Sequence, residues 1–109
     1  MIKMIVKMDE GQIRESDNYT IDQINSALDR IFLSRGMTRV ETENGVEYRG
    51  HDRASDFAAF GKIMLGLKEQ KWFVDNVKAW KFCSNDDTDY EDVFNEEDLL
   101  AHYGIKVYV

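Results

Sequence analysis

Residues 1–8 alternate in character. Ile2, Met4, Val6 and Met8 share one face, and Lys3, Ile5 and Lys7 share the other. That period belongs to a half-buried strand. Asp9-Glu10-Gly11 reads as a turn, and residues 12–19 as polar and irregular. The period then changes. Ile21, Ile24, Leu28, Ile31 and Phe32 recur at helical spacing. Thr20 stands at the cap, and Gln23 three residues on completes a capping box. Gly36 supplies the left-handed stop just past Arg35.

Residues 37–50 read as a hairpin. A two-residue Asn44-Gly45 turn would set Glu41 opposite Tyr48 and mix acids with apolar residues on one face. A three-residue loop, Glu43-Asn44-Gly45, pairs Thr42 with Val46 and Val40 with Tyr48. It keeps one face apolar, so it is the expected register. It also brings Arg39 near Arg49 and Glu41 near Glu47, a face better left wet. A second helix is expected from Arg53 to Glu69, capped by Asp52. Its apolar stripe is Phe57, Phe60, Met64 and Leu67, with Ala54, Gly61 and Leu65 beside it. Gly61 and Gly66 each weaken a helix by about 1 kcal/mol relative to alanine. Close packing against the sheet would explain them, or fraying at Gly66.

A strand is expected near residues 77–83, with Trp72, Phe73 and Val74 either ending the helix or forming a short strand. Asn95 is read as opening a third helix. Glu96, Glu97 and Asp98 would fill its first turn, where the dipole favours negative charge. Phe94 and Leu99 would form a hydrophobic staple, and Gly104 would end the helix. Ile105–Val109 reads as a final strand. The order is β-α-β-β-α-β followed by α-β. This predicts a single α+β domain over residues 1–109: an antiparallel sheet with helices on one face, ferredoxin-like in order, plus a C-terminal αβ unit. An exposed sheet edge can pair with a second copy, so a monomer and a weak homodimer both fit.

Composition narrows the class. The chain has 109 residues, 43% hydrophobic and 32% charged. A chain of this size should bury about two-thirds of its surface. Disorder, a membrane-spanning protein and a disulfide scaffold are excluded on these numbers. The one cysteine, Cys83, forms neither an internal disulfide nor a cysteine-based zinc site. Lysines interrupt the apolar run of residues 1–8, which is read as neither signal peptide nor spanning helix. The expected location is the cytoplasm.

Charge is distributed unevenly. Residues 1–84 hold 13 acids and 13 bases, which cancel. The remaining eight acids lie between Asp86 and Asp98, against the single base Lys106, and supply the whole net charge of −7. A basic nucleic-acid footprint is lacking, so direct nucleic-acid binding is not expected. Anionic membrane surfaces would repel the segment. Charge runs are often solvated loops. Here, however, Tyr90 and Phe94 interleave rings with the acids of an expected loop at 85–94. Aromatic anchors with steering charge suit a basic protein partner. The candidate partner-binding residues are Asp86, Asp87, Asp89, Tyr90, Glu91, Asp92 and Phe94.

Other chemistry is thinner. An EF-hand register from Asn85 puts Tyr90 where the loop needs glycine. No metal site and no cofactor are expected. His51-Asp52-Arg53 reads better as a helix start than as a catalytic base, since no nucleophile is placed near it. Trp72, Phe73 and Trp80 read as core before base-stacking platform. A second class of function, a small-molecule sensor or enzyme, would use the groove between sheet and helices, with Arg39, Arg49 and Arg53 holding an anionic ligand. A third reading is a nucleic-acid mimic whose carboxylates stand in for phosphates.

In size, acidity and the run Asp98-Leu-Leu-Ala-His-Tyr-Gly-Ile-Lys-Val107, the whole chain resembles the small acidic uncharacterised proteins encoded on conjugative transposons of Gram-positive bacteria. The resemblance implies a cytoplasmic accessory protein of a mobile element. It carries over no catalytic or binding residue.

Overall fold

The N-terminal alternation builds the middle of a sheet. In the computed structural model, which describes residues 1–86, 89, 90 and 92–106, β1 (Ile2–Met8) lies between β3 (Gly45–Arg49) and β4 (Val77–Ser84). β2 (Thr38–Thr42) flanks β3, and β5 (Asn95–Asp98) flanks β4. The spatial order is β2-β3-β1-β4-β5, and every neighbouring pair is antiparallel. The fold is α+β, as the sequence predicts.

One sheet face is apolar. Met4 stands between Tyr48 and Phe82, and Val6 between Val46 and Trp80. The helices cover this face. α2 (Ile21–Leu33) contributes Phe32, whose ring stacks on Tyr48 at 3.9 Å. α3 (Asp56–Leu67) contributes Phe60, edge-on to Phe82 at 6.0 Å. α4 (Lys71–Val74) contributes Phe73, 5.0 Å from Trp80. α5 (Leu99–Tyr103) stacks Tyr103 on Trp80 at 5.5 Å. Trp80 is fully buried and donates its indole N–H to Met4 Sδ at 3.1 Å. Each such ring, taken out of water, stabilises the fold by about 1.5–3 kcal/mol. The opposite face carries Lys3, Ile5, Glu47, Arg49, Lys81 and Cys83 in register.

α2 keeps the expected capping box, with Thr20 and Gln23 each bonding the other's backbone N–H. Several expectations are corrected. Residues 10–16 are not irregular but form α1 (Glu10–Ser16), capped by Asp9 and seated by one buried residue, Ile13. A single apolar anchor gives no period to read. The hairpin takes neither weighed register. Thr42 pairs with Gly45, Glu41 with Val46 and Arg39 with Tyr48, around a Glu43-Asn44 turn. Thr42 Oγ1 donates to the Gly45 carbonyl at 2.9 Å, and Gly45 adopts φ 122° with its Cα against β1. Arg39 therefore sits on the helix side and Arg49 on the open side, apart from each other.

α3 starts at Asp56 rather than Arg53, and Asp52 is left-handed with φ 58°. Phe57, expected in the core stripe, and Leu65, expected beside it, are 71% and 57% exposed, while Ile63 is buried instead. A Cβ at Gly61 or Gly66 would meet nothing within 4 Å, so neither glycine is there for close packing. Residues 71–74 form the short helix α4. The third helix starts at Leu99, not Asn95. Asn95–Asp98 pair along β4 instead, and Asp98 caps α5 through the Leu100 and Ala101 N–H groups. The added unit thus runs strand then helix. The staple does not form, because Phe94 packs over Lys3 on the open face while Leu99 enters the core. Ile105 and Lys106 are not in a strand, and the remainder of the expected final strand, 107–109, lies outside the described residues.

Candidate functional site: the acidic edge

Among the described residues the sheet ends at β5, which carries three acids, Glu96, Glu97 and Asp98. All four residues of β5 are exposed. On its outer side no further strand pairs with it among the described residues. Alternation splits its acids between the two sheet faces. Glu96 stands opposite Cys83 on the open face, 3.8 Å from the Lys81 ammonium. Glu97 points to the helix side, 3.0 Å from His102 Nδ1. Asp98 is committed to the α5 cap. Both Glu96 and Glu97 keep about half of their side-chain surface in water, at 49% and 53%.

The loop before β5 carries the other candidates. Asp86 is exposed and accepts from the Met1 amino group at 2.9 Å. Asp89 and Asp92 are exposed, as are Tyr90 and Val93. Asp87 and Glu91 lie outside the described residues. Phe94 differs from Tyr90. It is half-buried, with the Lys3 ammonium 4.1 Å from its ring centre, a cation–π contact that fastens the loop to the open face. Asp86, Asp89, Tyr90 and Asp92 are thus exposed ahead of β5, and Phe94 serves as an internal anchor. Sequence reasoning missed Glu96 and Glu97 as edge residues. An acidic triplet before an apolar run signals a helix start equally well.

Charges behind the edge are locally balanced. Glu47 is buried and meets Lys3 at 2.7 Å and Arg49 at 3.4 Å. Burial pushes its carboxyl up, but these two cations outweigh that and hold it below its ordinary value. Cys83 is fully buried, and burial with the nearby Glu96 charge pushes its thiol up to about 11. It stays protonated near neutral pH and is a poor nucleophile.

The three arginines of the ligand reading are not brought together. Arg39 bonds Asp29 at 3.0 Å and Glu41 at 2.9 Å on the helix side. Arg49 bonds Glu47 on the open side. Arg53 bonds Asp56 at 2.9 Å. A groove of about 470 Å³ does lie beside the hairpin, but only Arg39 of the three reaches it, among Lys7, Lys78, Glu41 and Glu43. His51 Nε2 shares a hydrogen bond with the Thr38 hydroxyl at 2.6 Å, and both side chains are exposed on the surface. Among the described residues no three His, Cys, Asp or Glu side chains are grouped to hold a metal. Nor is any described helix long and apolar enough to cross a membrane.

Comparison with protein-family models, with curated proteins and with solved structures found no match.

Proposed function

We propose that this protein is a non-enzymatic interaction module that binds a basic protein partner along its acidic edge, residues 86–98. The observation that carries the reading is that the segment holding the entire net charge, residues 86–98, ends in the exposed edge strand β5. Opposed charge speeds and orients encounter. Tyr90, 69% exposed amid these acids, supplies an aromatic surface of the kind that anchors interfaces. β5 offers backbone groups that an extended basic segment can pair with. Its acids discourage pairing with an identical acidic edge. Glu96 and Glu97 point to opposite faces, which suits a partner that grips the border more than a mimic of a regular phosphate row. We infer a bacterial cytoplasmic setting, as an accessory protein of a mobile element, from the resemblance in size and acidity.

The test is affinity capture from a bacterial lysate with wild type and with a variant carrying Asp86→Asn, Asp87→Asn, Asp89→Asn, Glu91→Gln and Asp92→Asn. Wild type should retain a basic protein that the variant loses and that elutes as salt rises. Equal retention by both would remove the site from the acidic edge.

A further inference from the structure

A second feature lies away from the acidic strip and rests on none of the argument above. A hollow of about 390 Å³ opens where the last turns of α2 and α3 meet α4. Its floor is apolar: Ile63 and Leu67 are buried, and Ile31 and Trp72 are half-buried. Two exposed cations, Arg35 and Lys62, line the same hollow. Neither makes an ion pair with a described carboxylate, whereas Arg39, Arg53 and Lys68 all do. Arg35 follows the end of α2, where a cation offsets the helix dipole, but Lys62 precedes the last turn of α3, which holds no basic residue, so the dipole does not account for it.

Gly66 accounts for part of that hollow. A glycine within a helix weakens it relative to alanine, and no neighbour requires this one, which lies in the last turn of α3. A Cβ at this position would meet nothing within 4 Å, and Gly66 is part of the hollow's wall. A leucine side chain there would start from the hollow's wall with room to extend.

We propose that this hollow binds a small organic anion: an acid group on an apolar, ring-sized body. Arg35 and Lys62 hold the acid, since charge-assisted bonds to a carboxylate are the strongest contacts available there. The body lies on Ile31, Ile63, Leu67 and Trp72, in the pattern of an apolar pocket with a few orienting polar groups.

Trp72 provides the readout. Its indole N–H donates to Gln70 Oε1 at 3.2 Å at the mouth of the hollow, and the other tryptophan, Trp80, is fully buried. Naphthylacetate is titrated into the full-length protein while the Trp72 indole N–H resonance is followed, with naphthylacetamide as its uncharged counterpart. The acid should give a saturable shift. The amide, and the acid with the Arg35→Gln/Lys62→Gln double variant, should bind at least roughly tenfold more weakly. Gly66→Leu should abolish saturation while its thermal midpoint stays at or above that of wild type. The double variant alters only exposed side chains, so it still decides the matter if Gly66→Leu folds poorly. The proposal is overturned by no saturable shift in wild type, by equal binding of acid and amide, or by a folded Gly66→Leu that binds as wild type does.

Discussion

Two carboxylates are buried among the described residues, Glu47 and Asp56, and both are held in their charged form. Asp56 accepts from the His51 and Arg53 backbone N–H groups at 2.7 and 3.2 Å and from Arg53 Nε at 3.0 Å. Burial raises its carboxyl, but these donors and the Arg53 charge outweigh that and hold it below its ordinary 3.8. Glu47 is likewise held below 4.5 by Lys3 and Arg49. Both groups are more acidic folded than unfolded. Their stabilisation is therefore complete above the ordinary values and is lost as pH falls through the depressed ones. Thermal midpoints should hold steady down to about pH 5 and fall below it, and the fall should be shallower in Asp56→Asn and Glu47→Gln. At neutral pH Asp56→Ala should cost about 2–3 kcal/mol in denaturant unfolding, because it leaves buried donors unpaired. The capping pair Thr20 and Gln23 was legible because both partners lie within one turn. Asp56 was not, because Asp52 comes first in sequence and reads as the cap. In the fold Ser55 stands at the cap with no side-chain bond, and Asp56 instead holds the turn before the helix, where Asp52 is left-handed.

At the scale of elements, legibility followed periodicity. β1, α2 and β4 carry several apolar residues at one spacing and were found. α1 rests on Ile13 alone and was not. The acids of β5 fit a helix start and a wet edge strand equally well, and the β4 ladder decides between them. The hairpin register is fixed from outside the hairpin, by Asp29 of α2. Asp29 accepts from the Tyr48 hydroxyl at 2.7 Å and pairs with Arg39 on the neighbouring strand. Two glycines test how the elements fit. A Cβ at Gly45 would lie 2.6 Å from the Val6 carbonyl oxygen, at a φ that disfavours side chains. Gly45→Ala should therefore destabilise by more than about 1 kcal/mol. Gly61 faces open space within a helix, so Gly61→Ala should stabilise by about 0.5–1 kcal/mol. Equal effects in urea unfolding would contradict this account of the two sites.

Across the whole molecule, the sheet sorts charge into a balanced body and one acidic border. Charge counting along the chain located that border within the last quarter of the sequence. It could not show that Phe94 turns inward onto Lys3 or that Glu96 and Glu97 lie on an edge, since both depend on strand pairing across the fold. Calorimetry of the captured partner with wild type and with the five-site neutralised variant, at low and at physiological salt, tests the border most directly. Wild-type affinity should fall steeply as salt rises, and the variant should bind weakly with a shallow salt dependence. Equal affinities with equal salt dependence would contradict the acidic edge as the binding surface.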